Sequence, residues 1–183
     1  SIDLDALMAL ANEAPELQWP DLWTPYVKAG VPEKVRIGVA RDKAFCFFYQ
    51  DNLDLLEALG DQLVYFSPLE DPHLPENLHG LILNGGYPEL YGATLSRNAT
   101  MRGDIRAAIE NGMPTLAECG GFMYLLETMV DADGVEHAMV GAIEGESRML
   151  KRLVRFGYAT MKALKGNMLC ETGTQIPVHE FHF

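Results

Sequence analysis

Basic residues are scarce in this chain. Fourteen Lys and Arg stand against 26 Asp and Glu in 183 residues, a formal net charge of −12. Such a surface repels a phosphate backbone, so nucleic acid is excluded as the expected partner. Long hydrophobic runs are missing as well. No stretch of the sequence reaches the about 18 apolar residues that a membrane helix needs, so no membrane association is expected. Cysteine is sparse: Cys46, Cys119 and Cys170 are an odd number, far apart and without CxxC spacing. That pattern argues against a disulfide framework and a structural zinc site, so no metal is expected. Residues 1–16 begin acidic and do not match a secretory leader, which with the unpaired thiols points to the cytoplasm. The dipeptide Gly-Lys never occurs, so there is no P-loop and no nucleotide cofactor is expected in this domain. What is present is a globular balance, 48% hydrophobic and 22% charged, which excludes a disordered chain.

Leu4, Leu7, Leu10 and Ala11 share one face of a predicted helix over residues 2–13, with Asp3 as its N-cap. Residues 14–34 hold Pro15, Pro20, Pro25 and Pro32, interleaved with Leu17, Trp19, Leu22, Trp23 and Tyr26. They read as a connector packed against something. From residue 35 the pattern changes. Val35–Ala40, Gln62–Phe66, Gly80–Leu83 and Pro114–Glu118 read as buried strands. Residues 51–60 and 100–111 read as helices closed by Gly60 and Gly112, and FMYLLETMV after Gly121 as another helix. Alternating strands and helices predict a three-layer α/β fold: a mostly parallel sheet with helices on both faces. Residues 131–183 read as shorter antiparallel strands, with turns at Asp133-Gly134 and Lys165-Gly166.

The most informative segment is LAECGGFMY, residues 116–124. A strand enters Cys119 and a helix leaves it through Gly120 and Gly121, with Ala117 also small. This is the cysteine form of a nucleophile elbow, a turn that only small neighbours permit. It places a thiol at the carboxyl end of the sheet, where open α/β folds bind ligands. A helix N-terminus there favours an anion, and the Gly120 N–H points toward a developing oxyanion. The second element is LNGGYPE, residues 83–89, an open glycine loop at the same sheet edge, whose Gly86 offers a second N–H. The third is IPVHEFHF at residues 176–183. As a strand it sends His179 and His182 to opposite faces and puts Glu180 on the face of His182. His182 as general base with Glu180 beside it is coherent chemistry. A buried structural cysteine and a surface histidine are the bland readings of the same residues. His73, His79 and His137 are expected in solvated loops without partners, Cys46 and Cys170 to pack, and Arg41-Asp42, at the carboxyl edge, to form a salt bridge, with a ligand or interface contact as the alternative.

Taken together, ARDKAFCFFY, FSPLED, LNGGYPEL, AECGGFMYL, FGYA and HEFHF resemble the glutamine amidotransferase domain of the cobyrinic acid a,c-diamide synthases, a class I-like, flavodoxin-like fold. The resemblance runs from residue 35 to 183; residues 1–34 look like the connector from an upstream ATP-dependent synthetase domain, so a fragment of a larger chain is expected. It implies hydrolysis of L-glutamine through a thioester on Cys119, with Gly86 and Gly120 holding the oxyanion and His182 moving the proton. Gly85, Tyr87 and Glu89 are candidates for contacting glutamine. It also implies that ammonia passes to the synthetase domain, which would use ATP and Mg²⁺ to amidate the a and c carboxylates in cobalamin biosynthesis. Expected partners are therefore L-glutamine, that synthetase domain, and a second copy of the chain in a homodimer. Hydrogenobyrinic acid or nickel-sirohydrochlorin are alternative acceptors. A non-catalytic docking module and a cysteine hydrolase of the peptidase type remain competing readings, though peptidases of that type place His directly after the cysteine, where Gly120 stands. Two departures from the wider triad amidotransferases stand out. Met123 replaces a glutamine of the usual GxCxGxQ elbow, and Phe183 follows His182 where Pro-Glu is usual. With no third member to orient the histidine, weak or no activity is expected of the domain alone.

Overall fold

The structure is a computed structural model that describes residues 2–18 and 34–182. Most of the apolar residues of the predicted connector, Trp19, Leu22, Trp23 and Tyr26, lie outside the described residues. The first helix is present as α1 (Leu4–Asn12), and the Asp3 carboxylate caps it by accepting from the Ala6 N–H at 3.0 Å. None of its side chains is buried.

Four strands form a parallel sheet in the order β2-β1-β3-β4: β1 (Arg36–Ala40), β2 (Gln62–Phe66), β3 (Gly80–Leu83) and β4 (Thr115–Ala117). Between them run α2 (Gln50–Ala58), α3 (Gly92–Arg97) and α4 (Ala99–Glu110). The chain leaves β1 toward β2 through α2, and leaves β3 toward β4, in the opposite direction, through α3 and α4. Right-handed crossovers running opposite ways put those helices on opposite faces. The predicted α/β architecture is thus the observed one. The reversal falls between β1 and β3, so the loops that follow these two strands meet at the carboxyl edge, where such sheets open a ligand crevice.

The apolar runs of β1 and β3 are buried on both faces. Ala40, Leu81 and Leu83 pack with Leu95 of α3, Met101 and Ile105 of α4, and the rings of Phe45 and Tyr124, while Val39 is buried outside that cluster. Each Leu, Ile, Met or Phe side chain among them contributes about 1.5–3 kcal/mol by leaving water.

One element departs from its reading. The helix after Gly121 stops early: α5 spans Gly120–Leu125 and the chain turns directly into β5 (Leu126–Val130). The cause is non-local. The N–H groups of Val140, Ala142 and Gly141 take the carbonyls of Tyr124, Leu125 and Leu126 at 2.9, 3.0 and 2.8 Å, which a longer helix would have used internally. β5 then pairs antiparallel with β6 (Glu136–Ala138) and parallel with β7 (Ile143–Arg148). β8 (Arg155–Lys162) and β9 (Gln175–His182) form a separate antiparallel pair, in register from Arg155↔His182 to Lys162↔Gln175.

Candidate active site

Cys119 has φ 49° and ψ −112°, a conformation that costs a non-glycine residue roughly 1–3 kcal/mol. Of the described residues other than glycine, only Asn77 shares a positive φ. The strain persists because the surroundings determine it. β4 pairs with β3 through Leu83↔Ala117, and the Glu118 N–H donates to the Leu83 carbonyl at 3.1 Å. The Gly121 N–H then donates back to the Glu118 carbonyl at 2.8 Å, closing the turn around the cysteine. A side chain at Gly121 would collide with the Leu83 carbonyl, so the helix leaves pressed against β3. The outcome is an exposed thiol on a sharp strand-to-helix turn.

The glycine loop comes to the same place. A Cβ built on Gly85 would lie 3.5 Å from the Cys119 Cβ, and one built on Gly120 would lie 3.2 Å from the Gly86 nitrogen. Gly86 itself has φ +156° and the Ala44 carbonyl against its α-carbon, so no side chain fits there. Among the described residues, neither the Gly86 N–H nor the Gly120 N–H is taken by a hydrogen bond. Two neighbouring backbone donors beside a thiol, with no acceptor among the described residues, have the chemistry to hold an anion.

Tyr87 is half exposed, with its N–H on the Ala44 carbonyl at 2.9 Å. Glu89 lies in the 3₁₀ turn Pro88–Tyr91. Burial pushes its carboxyl above the usual range, opposed by a hydrogen bond from its own backbone N–H.

The histidine end is placed differently. His179 and His182 face opposite sides of the β8–β9 pair. His179 lies among Phe156, Tyr158 and Phe181, with ring centroids 5.1–5.5 Å away. His182 shares its face with Glu180, whose carboxylate lies 3.8 Å from the imidazole and 3.6 Å from the Arg155 guanidinium. The His182 side chain is 52% exposed, and no hydrogen bond joins it to Cys119. The structure therefore assembles Cys119, Gly85, Gly86 and Gly120 in one place and leaves His182 and Glu180 on the hairpin.

Several other expectations are corrected. His137 is a buried residue of β6, its Nε2 at 2.7 Å from the Asp131 carboxylate. His73 and His79 are exposed loop residues as expected, but each has a partner: His73 meets Asp104 at 3.0 Å, and His79 accepts the Arg36 N–H at 3.0 Å. Cys46 is exposed, because its loop turns at Asp42 and buries Ala44 and Phe45 instead. Arg41 and Asp42 do not pair: the guanidinium lies over the rings of Phe48 and Tyr65 at 4.7 and 5.0 Å, while the carboxylate turns inward. Among the described residues no cluster of His, Cys, Asp and Glu fits a metal ion, and no helix is long and apolar enough to cross a membrane.

Fold and elbow define an α/β domain that presents an exposed cysteine thiol beside two backbone N–H groups. Residues 36–183 match the CobB/CobQ-like glutamine amidotransferase domain, and the chain belongs to that family. Curated relatives include the cobyrinate a,c-diamide synthases of Dehalococcoides mccartyi strain 195, 43% identical over 185 residues, of Priestia megaterium, 42% over 183, and of Salmonella typhimurium, 42% over 185. Each match takes in the whole of this chain but only 40%, 39% and 39% of the respective relative, so the chain spans about two-fifths of their length.

Proposed function

We propose that this domain hydrolyses L-glutamine at Cys119 and supplies ammonia to a synthetase that amidates a cobyrinate-type acid. The observation that carries this reading is the strained Cys119 elbow beside the Gly86 and Gly120 N–H groups, which have no acceptor among the described residues. The thiolate attacks the side-chain amide carbon of glutamine. Its oxygen becomes an oxyanion between the two glycine N–H groups, each worth about 2.7–4 kcal/mol in the transition state. His182 takes the thiol proton and returns it to the departing nitrogen as ammonia leaves. The remaining γ-glutamyl thioester is hydrolysed to glutamate by a water that His182 activates. Glu89, half-buried, and Tyr87 flank this site as contacts for the amino-acid end of glutamine.

The ammonia serves an ATP- and Mg²⁺-dependent amidation outside these residues. The length of the relatives supports a two-part enzyme, and the names of the relatives support the a and c carboxylates of cobyrinate as acceptors. The half-exposed His182, with no hydrogen bond to Cys119, favours a site completed by docking, in which contact with the synthetase seats the hairpin over the elbow.

The reading is tested by labelling with 6-diazo-5-oxo-norleucine, which mimics glutamine and alkylates the nucleophile. Mass is expected on Cys119 in the full-length protein and little or none in the isolated domain. Absence of label on Cys119 in both would overturn the reading. In the full-length protein Cys119→Ala should abolish glutamine-dependent synthesis and spare synthesis from free ammonia.

A further inference from the structure

The Gly86 N–H is aimed by its neighbours, and one carboxylate holds those neighbours. The Ala44 carbonyl lies against the Gly86 α-carbon and also accepts the Tyr87 N–H at 2.9 Å. The Phe47 N–H donates to the Gly85 carbonyl at 3.0 Å, an isolated antiparallel bridge between the two loops. Residues 44–47 thus grip residues 85–87. Residues 44–47 are in turn fixed by Asp42. Its Oδ1 accepts the N–H groups of Ala44 and Phe45 at 2.8 and 3.1 Å. Its Oδ2 accepts the Ser67 hydroxyl at 2.8 Å and the Leu69 N–H at 3.0 Å. One carboxylate therefore ties the loop after β1 to the loop after β2 and shapes the turn that touches the glycine loop. The same turn reaches the other donor. The fully buried Phe45 ring packs on Tyr124 at 5.3 Å, and Tyr124 belongs to α5, the helix that begins at Gly120.

We propose that Asp42 is the positioning residue of the oxyanion hole: by holding the Ala44–Phe45 turn it sets where the Gly86 N–H stands relative to Gly120. This rests on the glutaminase reading above. Asp42 touches neither thiol nor substrate; it acts through the backbone of residues 44–47. A carboxylate suits the task because it only accepts, with room for four donors. Asparagine keeps the shape but replaces one oxygen with an NH₂ group. Turned one way that group opposes the Leu69 N–H, and turned the other way the N–H groups of Ala44 and Phe45, so the tie between the turn and the loop after β2 is broken in either orientation.

The test is steady-state glutamine hydrolysis by the full-length protein, with iodoacetamide alkylation of Cys119 measured alongside. Alkylation displaces iodide and forms no oxyanion, so it reports the thiol and not the hole. Asp42→Asn is expected to lower kcat by about 10²-fold, the usual consequence of a misplacement on the order of 1 Å, with KM and the alkylation rate unchanged. Ser67→Ala removes one of the four donors and should give a smaller fall in kcat with the same split; it decides the matter if Asp42→Asn does not fold. Wild-type kcat in the folded variants would overturn the inference. So would alkylation that slows in step with kcat, because Asp42 would then support the thiol itself. If the wild-type protein releases ammonia no faster than Cys119→Ala, the glutaminase reading falls and takes this inference with it. Wild-type turnover with unaffected variants removes this inference alone.

Discussion

Gly120→Ala places one methyl group in the space that separates the elbow from the glycine loop. Its Cβ would stand 2.7 Å from Pro88 Cδ and 3.2 Å from both Pro88 Cγ and the Gly86 nitrogen. Carbon atoms rest about 3.5–4.0 Å apart, so the loop carrying Gly86 and Pro88 must withdraw by roughly 1 Å. Pro88 is buried and Gly86 abuts the Ala44 carbonyl, so neither has slack. Overpacking costs about 1–3 kcal/mol, while alanine gains about 1 kcal/mol over glycine within a helix. Stability should therefore fall by at most about 2 kcal/mol. Turnover should fall much further. Moving one oxyanion donor by that distance lowers kcat about 10²-fold, approaching the 10²–10³ seen when such a donor is removed. The assay is ammonia release from glutamine by the full-length protein, with thermal melting as the folding control. Wild-type turnover in a variant that melts normally would refute the reasoning, because the methyl would then occupy the supposed oxyanion site without consequence.

Other perturbations carry equally definite outcomes. His182→Ala should reduce glutamine hydrolysis about 10²–10⁴-fold, measured as kcat in the full-length protein; an undiminished rate would assign the proton transfer to another group. The Asp131 carboxyl is held below its usual range by the His137 ring, then by the Val135 N–H. A depressed carboxyl adds stability above its unfolded value of about 3.9, and that stability is lost as pH falls through the lower folded value. Thermal melts from neutral to acid pH should show Asp131→Asn destabilised at neutrality, with a flatter acid limb than wild type; parallel limbs would contradict this. The Tyr124 hydroxyl is buried without a hydrogen-bond partner among the described residues, and burial pushes its phenol well above the usual range. Tyr124→Phe should therefore melt at or above the wild-type temperature, and a clear loss would reveal a partner for that hydroxyl.

Local punctuation made much of the sheet legible in the sequence. Strands β2 and β3 fall on their predicted residues because Ser67-Pro68 ends one and Asn84-Gly85-Gly86 ends the other. The elbow was legible for a similar reason: only small residues can surround that turn, and Gly120 and Gly121 announce it. What escaped is non-local. LLETMV keeps helical character, yet hydrogen bonds from residues 140–142 end α5 and release a strand. His137 looked like a solvated loop residue because its partner, Asp131, lies across a hairpin turn that the sequence marks only at Asp133-Gly134. The Asp42 network unites three loops, and of its signals only the short spacing from Asp42 to Ala44 and Phe45 was local. The faces of β9 followed from alternation alone, whereas the distance from His182 to the thiol depends on how the hairpin seats.

The central claim is that Cys119 carries a γ-glutamyl group during turnover. Rapid acid quench of the full-length protein during steady-state glutamine hydrolysis, followed by peptide mass analysis, reads this directly. A γ-glutamyl adduct confined to the peptide bearing Cys119, sensitive to hydroxylamine and absent from Cys119→Ala, is the predicted result. Sustained ammonia release with no adduct on that peptide, or undiminished release by Cys119→Ala, would contradict it.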